Sequence, residues 1–392
     1  MTHSSERSRD EAYMARALEL AARGLYTTDP NPRVGCILVD GERVLGEGWH
    51  ERAGEAHAEV AALRSACGPG EGSVASWLPG ASGLGRSVRG ATAYVTLEPC
   101  SHVGRTGPCA DALIEAGVRR VVCAARDPNP RVAGSGIERL RAAGIAVSVG
   151  VLEGEARTLN VGYFSRHERG RPWVRLKLAV SLDGRTAPVG GGPMTLTGEA
   201  ARADVQAFRA RSSAILTGAG TVIVDDPRLD VRLAYGPWVR QPLKVVLEGA
   251  RRVSPAARVF TSGGPSVLFT ANGAGAASVP PVPPWPPAVE IVSLPVEVGT
   301  HRLDLGVVIT RLAALEVNEL LVECGAQLAA SFLEARLVDE LIVYVAPLIL
   351  GADAAPLAAL SALLPEHLPR FALSSVERFG QDVRLVLTPS GG

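Results

Sequence analysis

The spacing of apolar residues changes repeatedly along the chain, and each change predicts an element. Over residues 8–24 and just beyond, Tyr13, Met14, Ala17, Leu18, Ala21 and Leu25 recur near a helical period. The stretch NPRVGCILVDGERVLGEGWH then predicts a β-hairpin. Val34, Ile37 and Val39 lie in one arm, Asp40-Gly41 is the turn signal, and RVLGEGWH is the other arm. HAEVAALRSA starts a second helix at about His57. Residues 66–89 are rich in glycine and serine and read as a surface loop or insertion. ATAYVTLE predicts a buried strand that ends at Cys100. PCADALIEAG predicts a helix with Pro108 near its first position and Gly117 as its stop. RRVVCAA is a strand, IERLRAAG a helix and IAVSVG a strand. Such alternation predicts a three-layer α/β/α domain.

The alternation restarts after a polar stretch, SRHERGRP, which places a domain boundary near residue 170 and gives domains of 1–170 and 171–392. WVRLKLAVSLDG, SAILTG, LKVVLEG, PSVLFT, VEIVSLP, NELLVECG, DELIVYVAPLIL and DVRLVLTP predict strands. Residues 199–211, GVVITRLAAL and AQLAASFLEAR predict helices. A length of 392 residues agrees with two domains, because single cores stop growing near roughly 250–300 residues.

Composition narrows the class. Hydrophobic residues make up 47% and charged residues 20%, and Lys+Arg and Asp+Glu are both 40. A net charge of zero lacks the basic surface of a dedicated nucleic-acid binder. No apolar run approaches the roughly 20 residues that span a bilayer, and the polar start MTHSSERSRDEAY has no signal-peptide core. A cytoplasmic location is expected, with no membrane partner. The six cysteines, in so long a chain, do not read as a disulfide framework. A cysteine pair that matters is therefore expected to be a ligand set.

His57-Ala58-Glu59 opens a helix, Cys109 sits in the first turn of another, and Cys100 lies nine positions before Cys109. One imidazole and two thiolates make a catalytic zinc set that leaves a fourth position for water. The helix start favours the Cys109 thiolate. Glu59 could reach the activated water without being a ligand and carry its proton to a leaving amine, as in zinc deaminases with H-x-E followed by P-C-x-x-C. Eight residues separate the cysteines here instead of two. A bare H-x-E is common, and two cysteines beside prolines could be packing residues. The order of strand, H-x-E helix, strand, Pro-Cys and helix-start Cys favours the metal. Cys36, Cys67, Cys123 and Cys324 read as structural or incidental.

Several segments, taken in order, resemble the bifunctional riboflavin-biosynthesis deaminase/reductase, the RibD family: YMARAL, PNPRVGCILV, GEAHAEV, AYVTLEPCSHVGRTGPCADALI, DPNPRVAGSGIERLRAAGI, LKLAVSLDGRTA, AILTGAGTVIVDDPRL and LVDELIVYVAPLILG. They span nearly the whole chain. The resemblance implies an N-terminal cytidine-deaminase-like domain that removes the 2-amino group of a phosphoribosylamino-pyrimidinone as ammonia. It makes His57, Cys100 and Cys109 the zinc ligands and Glu59 the proton shuttle. Asn31 and His50 match substrate-pocket positions, and His102, Arg105 and Thr106 could line the pocket or meet the phosphoribosyl arm. Val103 stands where the family often has a second histidine.

The resemblance also implies a C-terminal dihydrofolate-reductase-like α/β domain that uses NADPH to open the ribose into a ribityl chain. Lys177 and Ala179 match the strand beside cofactor and substrate, with Lys177 polarising the reacting group. Pro193, Thr195 and Thr197 match a contacting loop, Pro193 on the substrate side and the threonines on the cofactor side. Arg209 is a candidate for the substrate phosphate, and Thr221 and Asp225 are cofactor positions, Asp225 also a candidate acid. Leu229, Arg232 and Glu323 are expected to touch substrate. Gly249 and the run Gly325, Ala326, Gln327, Leu328, Ala329, Ala330 and Ser331 are expected to touch cofactor, the run with a helix N-terminus for a phosphate.

From residue chemistry alone this second half is less legible. GAGT could be a plain turn, Asp225-Asp226-Pro227 a helix stop, and Arg209 a solvated helix charge. Lys177 in an apolar strand is the most suggestive residue, since a buried ammonium is costly without a partner. Two other readings compete with the leading one: a tRNA or nucleobase zinc deaminase with an accessory domain, and a non-catalytic zinc-stabilised binding protein in which His102 supplies a fourth ligand. The expected partner is a small pyrimidine ribosyl phosphate, not nucleic acid, and a homo-oligomer is expected.

Overall fold

The structure, a computed structural model, describes residues 3–67, 88–101, 107–190, 192, 194–232, 239–249, 253–271, 284–296, 302–361, 364 and 367–390. The chain divides into two compact units, Met1–Arg169 and Gly170–Gly392.

In the first unit the order is α1 (His3–Ala22), β1 (Gly35–Asp40), β2 (Arg43–Trp49), α2 (Ala58–Cys67), β3 (Thr92–Val95), α3 (Cys109–Glu115), β4 (Arg120–Cys123), α4 (Ser135–Ala142), β5 (Ala146–Val149), α5 (Glu153–Leu159) and α6 (Val161–Arg169). The strands form one sheet in the order β2-β1-β3-β4-β5. β1 runs antiparallel to β2 and β3, and β3, β4 and β5 are parallel. Side chains alternate across a strand, and the unbroken apolar runs here feed two cores. Cys36, Leu38, Ala93, Val95, Val121 and Cys123 pack with α2, α3 and α4. Ile37, Val39, Tyr94 and Val122 pack with α1, α5 and α6. This is the expected three-layer arrangement. Helix α1 lies so close to β1 that a Cβ on Gly35 would sit 2.0 Å from the Ala17 carbonyl oxygen.

Three details differ from expectation. The hairpin turn is Gly41-Glu42, with Gly41 at φ 61° and Asp40 paired to Arg43. β3 stops at Val95, so Cys100 does not end a strand but lies five residues past one. The segment taken from its polar letters as the boundary begins inside α6, which buries Tyr163 and Phe164 beneath those polar residues.

The second unit contains β6 (Trp173–Ser181), β7 (Arg185–Ala187), α7 (Glu199–Arg211), β8 (Ala214–Gly218), α8 (Ala219–Asp225), β9 (Leu243–Glu248), α9 (Arg258–Thr261), β10 (Ser266–Ala271), β11 (Val289–Leu294), α10 (Leu305–Ala314), β12 (Glu319–Glu323), α11 (Ala326–Glu334), β13 (Glu340–Ala346), β14 (Ala355–Pro356), β15 (Phe371–Phe379) and β16 (Asp382–Pro389). Nine strands make one sheet in the order β11-β10-β9-β8-β12-β6-β13-β16-β15. The strands from β11 to β13 are parallel, and β16 is antiparallel to both β13 and β15. Val174, Leu176, Leu178 and Val180 face α10 and α11. The opposite face packs α8 and α9 at one end and α7 at the other. β12 enters between β8 and β6, so chain order reverses there. In open parallel sheets the crevice beyond the strand C-termini at such a point is where ligands bind. DELIVYVAPLIL, expected as one strand, is a strand only as far as Ala346, where β13 ends.

Candidate active sites

The first site gathers at the start of α2 and α3. His57 precedes α2 and its carbonyl oxygen accepts from Ala61 N–H, so the residue opens the helix. His57 Nδ1 lies 3.6 Å from Cys100 Sγ and 3.3 Å from Cys109 Sγ. The three ligand atoms all lie within 4.8 Å of one another. Zn–N and Zn–S bonds of about 2.0 and 2.3 Å at tetrahedral angles separate N from S by roughly 3.6 Å. The donor set and its spacing therefore fit zinc. Cys109 is the first residue of α3, and its backbone N–H donates to Cys100 Sγ at 3.4 Å. Hydrogen bonds from Cys109 and His57 lower the Cys100 thiol toward the thiolate that binds metal, while the Cys109 thiol that donates to it is pushed up, against the expectation that the helix start favours its thiolate.

Glu59 is 3% exposed, in the first turn of α2. Burial, reinforced by the Cys100 thiolate, pushes its carboxyl up to about 7. A proton carrier working near neutrality needs such a value. Asn31 and His50, both expected at the substrate pocket, are brought together. Asn31 Nδ2 donates to His50 Nε2 at 3.0 Å, while His50 Nδ1 donates to the Ala56 carbonyl oxygen at 3.0 Å. Burial lowers the His50 pKa, so the ring is neutral with its proton on Nδ1. The His50 and His57 rings meet edge to face, 5.3 Å between centroids. His102, Val103, Arg105 and Thr106 lie outside the described residues.

In the second unit Lys177 and Glu323 are register partners on adjacent parallel strands. Two cations, Arg175 and Lys177, point from β6 to the same face. Arg175 is absorbed into a buried network with Glu319 and Glu340, and Arg211 also binds Glu319. Lys177, one pleat further on, makes no hydrogen bond among the described residues; its Nζ lies 5.8 Å from the Tyr344 ring. Burial lowers its pKa, opposed by the Glu323 charge. Arg175 is as unusual in an apolar strand as Lys177, but its guanidinium is taken up by Glu319 and Glu340.

Arg209 was expected to meet the substrate phosphate. Its fork instead grips Glu323, with Nε to Oε1 at 2.6 Å and Nη2 to Oε2 at 3.0 Å, and Nη1 donates to the Asp230 carbonyl oxygen. Glu323 is held at about 2, burial being outweighed by Arg209 with help from Lys177. Arg232 is exposed and pairs with Asp230. Leu229 is buried in the core that includes α8, at φ 51°. Ala179 lies on β6 facing the α7 side. Thr221 sits in α8, Asp225 is its exposed last residue, and Gly249 directly follows β9. Thr195 is exposed and Thr197 half-buried, and Pro193 lies outside the described residues.

Gly325 to Ser331 begins α11 immediately beyond β12. Gly325 is an exposed N-cap with no capping side chain among the described residues, and a Cβ there would meet nothing within 4 Å. A Cβ on Gly218, at the start of α8, would touch Leu328 Cδ2 at 3.3 Å, so these two helix starts adjoin. Open backbone N–H groups beside glycines fit a cofactor phosphate.

Comparison with known proteins gives a consistent result. Residues 172–385 match the family model described as the RibD C-terminal domain, and residues 7–125 match the cytidine and deoxycytidylate deaminase zinc-binding region. The riboflavin biosynthesis protein RibD of Escherichia coli (strain K12) is 45% identical over 391 residues, covering 96% of this chain and 99% of its own. The chain belongs to the RibD family. Among solved structures, an Acinetobacter baumannii RibD is similar with a TM-score of 0.85 at 39% identity, over 98% of this chain and 100% of that one. A Thermotoga maritima diaminohydroxyphosphoribosylaminopyrimidine deaminase/5-amino-6-(5-phosphoribosylamino)uracil reductase follows at 0.82 and 32% identity, over the same shares. The chain is thus a bifunctional enzyme of riboflavin biosynthesis, a zinc-dependent deaminase in its first half and an NADPH-dependent reductase in its second. The fold, both activities and both cofactors expected from the resemblance are supported, and nothing favours the tRNA-directed or non-catalytic alternatives. Among the described residues no helix is long and apolar enough to cross a membrane.

Proposed function

We propose that the first half, residues 1–170, deaminates the diaminohydroxyphosphoribosylaminopyrimidine in the name of the Thermotoga relative. The second half, residues 171–392, then reduces the resulting phosphoribosylaminouracil to its ribityl form. The observation that carries this reading is the triangle of His57, Cys100 and Cys109 beside a buried Glu59. Zinc held there supplies a water acidic enough to act as a nucleophile at neutral pH. Glu59 takes up a proton on a carboxyl oxygen and returns it to the departing amino nitrogen, its raised pKa suiting both transfers. Asn31 and neutral His50 orient the pyrimidine; their mutual hydrogen bond fixes which Asn31 atoms face the pocket.

In the reductase, NADPH supplies the hydride. Lys177, without a hydrogen-bonding partner among the described residues, polarises the sugar nitrogen or oxygen as the ribosylamine opens. Glu323, held ionised by Arg209, accepts substrate hydroxyl hydrogens. The α11 start, Thr221 and Gly249 hold the cofactor, and Asp225 supplies the final proton. Arg232, exposed and with its side chain held only by an ion pair to Asp230 at 3.3 Å among the described residues, suits the substrate phosphate better than Arg209, whose fork is closed on Glu323. The enzyme works on small molecules in the cytoplasm, without a nucleic-acid or membrane partner, as a homo-oligomer.

The test is stepwise turnover by the full chain. Glu59→Gln should lower ammonia release by about 10²–10⁴-fold while NADPH oxidation with the deaminated intermediate continues. Ammonia release at the wild-type rate would remove Glu59 from the mechanism. NADPH oxidation that never occurs would remove the reductase reading.

A further inference from the structure

Cys100 lies in a loop, yet a metal ligand must be held to a few tenths of an ångström. The segment around it is anchored in an unexpected way. Glu98, 4% exposed, aims its carboxylate at the start of α4. Oε2 accepts from Asp127 N–H at 3.2 Å and Gly134 N–H at 2.9 Å, and Oε1 accepts from Gly136 N–H at 3.0 Å and Ile137 N–H at 3.2 Å. A carboxylate has about four lone-pair positions, and each meets a backbone donor. The first N–H groups of a helix have no partner within it. The N-cap of α4 is Gly134, which has no side chain to cap them. Glu98 caps this helix from 36 residues upstream, with the charge that its N-terminus favours.

Its neighbours join the same contact. A Cβ on Gly136 would lie 1.9 Å from the Pro99 carbonyl oxygen, so the segment rests directly on the helix backbone. Ser101 Oγ is 2.6 Å from Ser135 Oγ. Residues 98, 99 and 101 are thus fastened to α4, while Cys100 turns its sulfur to His57 and Cys109 and its carbonyl oxygen accepts from Ala110 N–H at 3.1 Å.

We propose that Glu98 is a positioning residue of the deaminase, locking the 98–101 segment onto α4 so that Cys100 is presented to the metal. The proposal rests on the reading of Cys100 as a zinc ligand. Outer partners of metal ligands cost about 10- to 100-fold in metal affinity when removed, and Glu98 acts at comparable remove through the backbone.

The measurement is zinc release from the full chain to a chromogenic chelator, with the cobalt-substituted absorption spectrum as a second readout and the thermal unfolding transition of the first unit in scanning calorimetry as a fold control. Glu98→Gln keeps the size but offers one acceptor oxygen, so two of the four N–H groups face an amide NH₂. It should release zinc about 10- to 100-fold faster and shift the cobalt spectrum, with the first unit still giving its unfolding transition. Gly136→Ala, which leaves Glu98 intact and pushes on Pro99, should do the same. Glu98→Asp, which restores the charge, should recover part of the loss. Wild-type zinc release in both Glu98→Gln and Gly136→Ala would overturn the proposal. Should Glu98→Gln fail to fold, Gly136→Ala and Ser101→Ala decide by the same readouts. Cys100→Ser separates the two ideas: undiminished zinc binding there refutes the ligand assignment itself. Loss of zinc in Cys100→Ser, with wild-type release in the others, refutes only the positioning role.

Discussion

Asp127 offers a stability prediction whose sign and size follow from its surroundings. The side chain is 7% exposed, and one oxygen, Oδ1, accepts both from Asn129 N–H at 2.8 Å and from Tyr163 Oη at 3.0 Å. Burial, which outweighs these bonds, pushes its carboxyl from 3.8 up to about 6. The folded state therefore binds a proton that the unfolded state releases between pH 4 and 6, so stability falls as pH rises through that window and the cost is complete above it. A shift of about 2 units corresponds to at most about 3 kcal/mol at 1.36 kcal/mol per unit. Asparagine presents the same Oδ1 to both donors and carries no charge. Asp127→Asn should thus stabilise the first unit by about 1–3 kcal/mol at pH 8 and by nearly nothing at pH 4, where the wild-type acid is neutral too. For a unit of this size the gain amounts to roughly 3–10 °C in Tm. Scanning calorimetry of the full chain at both pH values measures it, with residual deaminase and reductase activity after heating assigning each transition. A gain of equal size at both pH values, or none at pH 8, would refute the reasoning.

Other outcomes follow from the same structure. Arg209→Met leaves the half-buried Glu323 without its hydrogen-bonded cation and should destabilise the second unit by about 3 kcal/mol at neutral pH. The stabilisation of a carboxylate held at about 2 is present above its ordinary value near 4.5 and is lost as pH falls toward 2, so the gap to wild type should narrow below pH 4; urea unfolding followed by circular dichroism at pH 7 and below pH 4 checks both. Gly35→Ala drives a methyl to 2.0 Å from the Ala17 carbonyl oxygen and should cost about 1–3 kcal/mol by overpacking. Deaminase activity would then be lost at a lower temperature than in wild type, and an unchanged inactivation temperature would show that α1 shifts freely.

What the letters revealed, and what they hid, divides along physical lines. β1 was legible because Cys36 to Val39 are apolar on both faces, which a strand between two helical layers requires. The metal ligands were legible because their side chains are the chemistry. α6 was missed because its last residues, Arg166, His167, Glu168 and Arg169, are all polar although the first two are half-buried, and only Tyr163 and Phe164 mark its buried side by their letters. β15 was missed because Leu373 and Val376 are exposed and its polar residues do not mark one face. The Arg209–Glu323 pair spans 114 residues, and no local pattern announces such a partner. Glu98 read as part of a strand, although a signal was present: the helix opening GSGIE has no side chain at Gly134 to cap it, so a cap had to come from elsewhere.

Three glutamates, Glu59 and Glu98 buried and Glu323 half-buried, show how partners, rather than residue type, assign a role. Glu323 faces a guanidinium fork and an ammonium, so it keeps a fixed negative charge through the working pH range and can orient substrate but not exchange protons. Glu59 is buried with no cationic side chain bonded to it, and burial first, with the Cys100 charge second, raises its carboxyl to about 7. Glu98 meets four backbone N–H groups and nothing that reacts, so its charge is committed to holding two chain segments together. Exchanging these environments would exchange the functions. A cationic side chain placed against Glu59 would lower its pKa and take it out of the neutral range for proton transfer. An amide at Glu98 would do the reverse, loosening the metal while leaving Glu59 chemically competent. The two kinds of loss are separable by measurement: the first moves the pH profile of ammonia release, the second the rate of zinc release.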